Sequence, residues 1–389
     1  MRNISYRVSQ QINPNIEAVF EAVFNGVLRR NALMNSLVKG SIKAVAVLSA
    51  LTLLAGCSSS SDDAAASVKA CLALDTGGVD DKSFNASAWA GAQAAQDAGA
   101  EVKYLAATSD ADYAPNIKKL VDEGCNIVIG VGFLINGAIV EAAKANPDTK
   151  FAIVDQDGKD HGPAGDQYPG AVIDNLKGIE FATNQAAFQA GYLAAGYSKT
   201  GKVATYGGLN IPPVSIFMDG FARGVAYYNT TKGKKVTVLG WDTAKKDGTF
   251  VGGFSDQAKA LQISKNFEQQ GADVIFPVAG GLGAATANQS MTGKKSVTIW
   301  VDSDGYVQAP QFASVLLTSV VKGVGTSVTA VIQDVIDGTF SATNYLGTLE
   351  NNGTFLAPYH DLEATVDATL AAEVEQLGAD ITSGTIAVS

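Results

Sequence analysis

The chain alternates short apolar runs with amphipathic stretches, and it does so twice in series. In its first half, strands are predicted at residues 68–74, 101–107, 126–131, 151–154 and 171–173. Helices are predicted between them, at residues 85–98, 113–123, 136–145 and 179–197. The pattern restarts at 202–206 and reaches a further strand at 315–320. Strands joined by crossover helices indicate parallel sheets, so two such arrays predict an α/β fold of two doubly wound lobes.

These patterns also predict where the chain divides. Residues 1–56 form a leader and 57–67 a Ser/Asp/Ala linker too polar to order itself. The first lobe is predicted to cover residues 68–198 and the second 199–321. The remaining chain, about 322–389, is expected to cross back to the first lobe.

The leader ends in the layout of a bacterial lipoprotein signal. Lys39 and Lys43 precede an apolar run, residues 44–54, which leads into Leu-Ala-Gly-Cys57. Small residues before Cys57 are typical of a cleavage site, and the Cys57 thiol is the expected attachment point for lipid. The alternative is a buried helix that ends in a chance cysteine. The run is shorter than the roughly 20 residues a membrane-spanning helix needs, so we expect a lipid-anchored protein on the outer face of the cell membrane.

The first 33 residues do not belong to this layout. Met34 is therefore a candidate start, and an unusually long basic region before the signal is the alternative.

Charge and residue counts exclude several functional classes. The net charge is -10, and residues 1–56 hold six basic but only two acidic residues, so the remaining chain is more acidic still. Such a surface repels nucleic acid. With only His161 and His360 present, we predict no catalytic triad, metal site or cofactor. Cys71 and Cys125 are either two buried small residues or, in an exported protein, a disulfide.

Polar residues at strand ends are the candidate ligand contacts, because open α/β sheets bind ligands at the carboxyl ends of their strands. Asp75 ends the first strand, while Phe-Ala-Ile-Val-Asp155 and Thr-Ile-Trp-Val-Asp302 match each other, one in each lobe. Paired carboxylates can accept hydrogen bonds from vicinal hydroxyls, as on a sugar. Solvated loop aspartates are the alternative. The glycine clusters at 130–132 and 280–283 lack the spacing of nucleotide-binding loops.

Aromatic residues accompany these carboxylates. Phe84 lies within Asp80-Asp81-Lys82-Ser83-Phe84-Asn85 at the start of the first helix, and Phe217 holds the matching place in the second lobe. Two rings from opposite lobes could clamp a flat heterocycle. The alternatives are that Ser83 or Asn85 caps the helix and that Phe217 is a core residue.

Six motifs, in order, resemble the basic membrane protein family of ABC-transporter substrate-binding lipoproteins. The resemblance runs from about Val68 to Ser389. Its motifs are Gly-Gly-Val-Asp-Asp-Lys-Ser-Phe-Asn85, Phe-Ala-Ile-Val-Asp155, Pro213 through Phe217 to Phe221, Gly253-Phe254-Ser-Asp256, Gly271 through Gly280, and Leu317-Thr-Ser-Val-Val-Lys322. The best understood members of that family are purine nucleoside receptors.

The resemblance implies a type I periplasmic-binding-protein fold whose lobes close on the ligand. It implies that Phe84 and Phe217 stack on a base, that Asp81, Ser83 and Asn85 address the base, and that Gly280 lies in the cleft. Asp155, Asp302 and Lys322 would hold the ribose hydroxyls. An insertion at 159–169 departs from the family pattern beside Asp155.

The function predicted in this way is that of a monomeric binding protein which delivers a nucleoside, with purine favoured, to the permease and ATPase subunits of an importer. The alternatives are a binding protein for a sugar or another small metabolite, and a ligand-sensing co-receptor. A transcription regulator of similar fold would need a helix-turn-helix where this chain has a lipoprotein signal. An enzyme would need an acid–base pair or metal cluster, and no catalytic residue is predicted.

Overall fold

The computed structural model describes residues 67–162 and 169–388. Their strands are β1 (Lys69–Leu74), β2 (Glu101–Ala106), β3 (Ile127–Val131), β4 (Lys150–Val154), β5 (Lys159–Asp160), β6 (Ala171–Val172), β7 (Leu176–Phe181), β8 (Lys202–Gly207), β9 (Thr237–Leu239), β10 (Trp241–Asp242), β11 (Asp247–Gly248), β12 (Val274–Val278), β13 (Val297–Asp302), β14 (Leu316–Lys322), β15 (Tyr345–Gly347) and β16 (Thr354–Leu356). The α-helices are α1 (Phe84–Ala94), α2 (Tyr113–Asp122), α3 (Asn136–Ala145), α4 (Asn184–Tyr197), α5 (Pro212–Lys232), α6 (Gln257–Gln269), α7 (Gly283–Gly293), α8 (Gly305–Gln308), α9 (Val324–Ile336) and α10 (Ala368–Thr382). The predicted signal, Cys57 and nearly all of the predicted linker lie outside the described residues.

Two six-stranded sheets organise these elements. The first has the order β15-β7-β4-β3-β1-β2 and the second β16-β14-β13-β12-β8-β9. Neighbouring strands are parallel, except that β16 runs antiparallel to β14. The predicted α/β architecture is confirmed, and in the first sheet β1 lies between β2 and β3.

Helices cover both faces of the first sheet, which explains why its central strands are apolar throughout. In β1, Leu72 and Leu74 face the cluster that holds α1 and α9. Cys71 and Ala73 point the opposite way, toward α2 and α3. A strand buried on both faces needs an unbroken apolar run rather than an alternating one.

One predicted strand and one predicted helix are wrong at the end of the first array. The apolar residues near 171–173 contribute β6, which pairs with β5 in a small ribbon. The sheet strand is β7, and α4 begins at Asn184 rather than at 179. Lys177 and Glu180 gave this segment an amphipathic, helix-like pattern. Pairing with both β4 and β15 fixes it as a strand instead.

The chain crosses between the sheets three times, at positions that differ from the predicted boundaries. The first lobe comprises the first sheet with α1, α2, α3 and α9, and the second lobe comprises the second sheet with α4–α8 and α10. Helix α4 was predicted in the first lobe, yet it packs into the second core beside α5. A Cβ on Gly191 or Gly224 would lie 2.0 Å from a carbonyl oxygen of the facing helix, so both positions need glycine for this close crossing. The tail also divides, because β15 joins the first sheet and β16 the second.

Cys71 and Cys125 form a disulfide in the structure, with 6.0 Å between their Cα atoms. Cys71 lies in β1 and Cys125 two residues before β3, in the apolar layer under α2 and α3. The bond therefore ties two neighbouring strands of the first sheet.

None of the helices described between residues 67 and 388 is both long enough and apolar enough to cross a bilayer.

Candidate ligand-binding cleft

A cleft between the two lobes gathers the carboxyl ends of strands from both sheets. It encloses about 600 Å³ of unfilled space, part of it open to solvent. The first lobe contributes residues that follow β1, β3 and β4, and the second contributes the ends of β12, β13 and β14. The lining residues are Asp75, Thr76, Gly77, Asp81, Phe84, Asn85, Gly132, Phe133, Asp155, Ile211, Pro213, Val214, Phe217, Phe254, Val278, Gly280, Gly281, Val301, Asp302 and Lys322. Among the predicted contacts, only Ser83 is missing from this lining.

An ion pair spans the cleft between Asp155 and Lys322. Lys322 Nζ lies 2.6 Å from Asp155 Oδ1 and 2.7 Å from Oδ2. Both side chains are buried, and burial raises the pKa of Asp155 while the adjacent ammonium opposes that rise. Lys322 Nζ also lies 4.8 Å from the ring centroid of Phe84 and 5.8 Å from that of Phe217. Charged and aromatic groups of both lobes therefore converge on one point.

Asp155 and Asp302 share an unusual backbone conformation. Their φ angles are 74° and 68°, in the left-handed region that residues other than glycine seldom adopt. Such outliers concentrate at functional sites. Burial raises the pKa of Asp302 to about 6, against the opposing effect of Lys322.

Ser83 contacts the opposite lobe rather than the cleft. Its side chain is fully buried, and its Oγ lies 2.9 Å from Asp302 Oδ2 and 3.0 Å from the Val301 carbonyl oxygen. One residue earlier, the Lys82 carbonyl accepts a 2.9 Å hydrogen bond from Ser303 Oγ. The start of α1 is thereby bonded directly to the end of β13. We call these bonds the lobe contact.

Asp81 performs the capping expected of Ser83 or Asn85. Its carboxylate accepts hydrogen bonds of 2.9 to 3.0 Å from the backbone N–H groups of Ser83, Asn85 and Ala86. These bonds satisfy otherwise unpaired donors at the start of α1. Burial raises the pKa of Asp81, and these three donors oppose the rise. These bonds also hold the turn that carries Phe84, and Asp81 itself lines the cleft.

Asp75 was singled out as a residue at a strand end but was given no specific ligand contact. It follows β1 as Asp155 follows β4. Its Oδ1 accepts a 3.3 Å hydrogen bond from Asn85 Nδ2. Burial raises the pKa of Asp75 to about 8, with Asn85 opposing and the Asp155 and Asp81 charges adding to the rise. Asn85 Oδ1 has no hydrogen-bond partner among the described residues. This pair offers both a donor and an acceptor beside the aromatic rings.

The aromatic wall is larger than predicted. Phe217 lines the cleft, but it is also buried and packs edge-on against Phe276, with 6.2 Å between the ring centroids. The core interpretation therefore holds, and the clamp stays a prediction. Phe133 and Phe254 were not predicted. Phe254 had a signal in the motif Gly253-Phe254, whereas Phe133 follows β3 without a distinguishing neighbour.

Two lobes with a cleft between them are the architecture of proteins that bind a small molecule. Residues 68–347 match the family described as "ABC transporter substrate-binding protein PnrA-like", and the chain belongs to that family. It is 29% identical over 366 residues to the ABC transporter nucleoside-binding protein BmpA of Lactococcus lactis, covering 88% of this chain and 97% of that one. It is 28% identical over 326 residues to a lipoprotein of Pyrococcus abyssi, covering 80% and 74%.

Solved structures agree on the fold. A solute-binding protein of an ABC transporter system from Aeropyrum pernix superposes with a TM-score of 0.71 at 24% identity, covering 82% of this chain and 92% of that one. The chain is therefore an ABC-transporter substrate-binding protein with the periplasmic-binding-protein fold, whose family implies a small-molecule ligand and a permease partner.

Proposed function

We infer that this protein captures a purine nucleoside between its lobes and delivers it to the permease of an ABC importer. One observation carries the inference: Phe84 and Phe217 approach from opposite lobes, and both surround the ammonium of Lys322, which is paired with Asp155. Flat aromatic faces and buried charges at one point suit a ligand with a flat ring at one end and hydroxyl groups at the other.

The sugar end is assigned to the charged groups. The Asp155 and Asp302 carboxylates can accept hydrogen bonds from neighbouring hydroxyls, and the Lys322 ammonium can donate one. Gly280, on the second lobe, places backbone groups at the same cleft. Hydrogen bonds to charged partners are about twice as strong as neutral ones, so these groups would contribute strongly to binding of the sugar.

The base end is assigned to Asp75, Asn85 and the two rings. Below a pH of about 8 the Asp75 carboxyl is mainly protonated and can donate a hydrogen bond. Asn85 supplies an amide whose Oδ1 is unpaired among the described residues. A purine carries acceptors and donors along its edge that such a pair can match. The nucleoside-binding name of the Lactococcus lactis relative supports this assignment.

The same proposal places the protein on the outside of the cell membrane. The apolar run before Leu-Ala-Gly-Cys57 supports lipid attachment at Cys57, as does the lipoprotein name of the Pyrococcus abyssi relative. Lipid would keep the receptor near its permease while the lobes remain in the aqueous phase. Monomeric protein suffices, because one chain supplies both walls of the cleft.

Calorimetry with adenosine, guanosine, inosine, their free bases and ribose tests the ligand assignment. Phe84→Ala removes a stacking partner, worth about 1 to 3 kcal/mol, and should weaken nucleoside and free base alike. Asp302→Asn removes a charged acceptor, worth about 1.5 to 3 kcal/mol. Because it also weakens the hydrogen bond from Ser83, free bases should lose some affinity, but nucleosides should lose more.

Asp304→Asn is the matched control, because Asp304 follows closely on the same loop but does not line the cleft. Ribose binding as tightly as any nucleoside would replace this proposal with a sugar-binding role. Native mass spectrometry of the purified protein would show both a retained ligand and the oligomeric state.

A further inference from the structure

A second chamber adjoins the cleft and extends it in one direction. It encloses about 900 Å³ of unfilled space, part of it open to solvent. Phe133, Asp155, Pro213 and Lys322 line both spaces, so the Asp155–Lys322 ion pair lies at their boundary. A ligand group bonded to Asp155 therefore stands where one space opens into the other.

The chamber has walls from both lobes. The first lobe contributes the segment after β4, with Asp157, Lys159 and His161, and Glu180 of β7. The second lobe contributes the start of α5, including Pro212 and Ile216. The four residues assigned to the base, Asp75, Phe84, Asn85 and Phe217, do not line it. The chamber therefore continues the sugar end of the site and not the base end.

The charged side chains that line the chamber determine which ligand groups can bind there. Three lining side chains are carboxylates, Asp155, Asp157 and Glu180, against the two ammonium groups of Lys159 and Lys322. The two ammonium groups and the neighbouring imidazole are already engaged: Lys322 pairs with Asp155, while Lys159 Nζ and His161 Nε2 lie 3.1 and 2.9 Å from Asp157. A phosphate placed here would have to break one of these pairs to gain a cationic partner, and breaking a buried pair is costly. A neutral or cationic group meets no such cost.

We propose that this chamber accepts a neutral or cationic substituent on the sugar of a bound nucleoside, and that it excludes a phosphate there. The proposal rests on the assigned function, because it takes the sugar hydroxyls to lie at Asp155. It extends the ligand class from plain nucleosides to sugar-modified ones, such as thioethers and amines.

Calorimetry on the full protein would compare adenosine with analogues that carry methylthio, amino or phosphate groups at the 5′ or the 3′ position. N6-benzyladenosine serves as the base-modified control. At one of the two sugar positions, the methylthio and amino analogues should bind within about tenfold of adenosine, a difference of about 1.4 kcal/mol. The phosphate at that position should bind more than about a hundredfold more weakly, as should N6-benzyladenosine.

Two variants that fill the chamber make the test specific. Ile216→Trp should weaken the tolerated analogue by at least about tenfold and leave adenosine within about twofold. Pro212→Trp, at an exposed position of the same wall, gives a second test should Ile216→Trp fold poorly. Ala226→Trp, exposed farther along α5, is the matched control and should change neither affinity.

The outcomes separate this inference from the assigned function. If adenosine binds but every sugar-modified analogue is lost at both positions, the chamber plays no part in binding and the inference is overturned. Equal loss of adenosine and analogue in the filled variants has the same consequence. If phosphate binds as well as amine, the charge argument is wrong. If no unsubstituted nucleoside binds, the assigned function fails and this inference fails with it.

Discussion

Ser83→Ala should weaken ligand binding although Ser83 does not line the cleft. In the structure, where the two lobes are in contact, the Ser83 hydroxyl donates a 2.9 Å hydrogen bond across the lobes to the Asp302 carboxylate. An open form, in which the lobes separate as the family's fold implies, lacks this bond. Ser83→Ala should therefore raise the free energy of the closed form and leave that of the open form unchanged.

The structure sets the size of the effect. A hydrogen bond to a charged group contributes about 1.5 to 3 kcal/mol. If the unliganded protein is mainly open, this loss passes wholly into ligand affinity, because binding must supply the free energy of closure. The dissociation constant should rise roughly 10- to 150-fold. Ser303→Ala removes only the neutral bond to the Lys82 carbonyl, about 0.5 to 1.5 kcal/mol, and should have a smaller effect of the same kind.

Calorimetry combined with small-angle X-ray scattering would measure both parts of this prediction. The variant should bind more weakly, and at half-saturating ligand for the wild type it should show a larger radius of gyration. Ser87→Ala, one turn further along α1, is the control. A dissociation constant for Ser83→Ala within about twofold of the wild type would show that the lobe contact adds nothing to closure, and this reasoning would be refuted.

Three further predictions concern stability and location. Burial raises the pKa of Asp75 from 3.8 to about 8, so between these pH values the folded protein holds a proton that the unfolded chain releases. The unfolding free energy should therefore fall as pH rises from about 4 to 8. Urea titrations across this pH range should show a smaller fall for Asp75→Asn. The Cys71–Cys125 bond closes a loop with a sequence separation of 54, so reducing it should lower the unfolding free energy by about 4 kcal/mol; two alkylatable thiols in unreduced, denatured protein would show instead that no bond exists. In cell fractionation, the Cys57→Ala variant should be found outside the membrane fraction. If that variant remained in the membrane fraction and needed detergent for release, lipid attachment at this residue would be disproved.

The sequence predicted the architecture well because buried parallel strands leave a strong signal. An apolar run such as β1 can be recognised without knowing its neighbours. The failure at β7 has the opposite cause, because this strand carries two charged residues: Glu180 lines the second chamber, and Lys177 lies beside α9. Lys177 Nζ, for example, lies 3.7 Å from Asp334 of α9. That partner is distant in sequence, so the local residue pattern alone did not indicate a strand.

The sequence predicted those candidate site residues that lie at the ends of strands. It could not predict the contacts that form only where the two lobes meet. Asp155 and Asp302 repeat one motif at equivalent strand ends, and both line the cleft. Ser83 occupies a motif that suggested ligand contact, but its role depends on a residue more than two hundred positions away. Asp75 was recognisable as a strand end, yet its raised pKa follows from burial that only the assembled cleft creates.

The left-handed backbone at Asp155 and Asp302 determines which mutants can report on their charge. An alanine there would lose the carboxylate and also the short polar side chain that helps aspartate adopt a left-handed backbone, a conformation that costs about 1 to 2 kcal/mol. Asparagine tolerates the same φ angle, so it isolates the charge from the backbone. An alanine scan of this cleft would therefore overstate how much the two carboxylates contribute to binding through their charge. The left-handed backbone also limits which residues natural relatives or designed variants could place at these positions to change ligand preference.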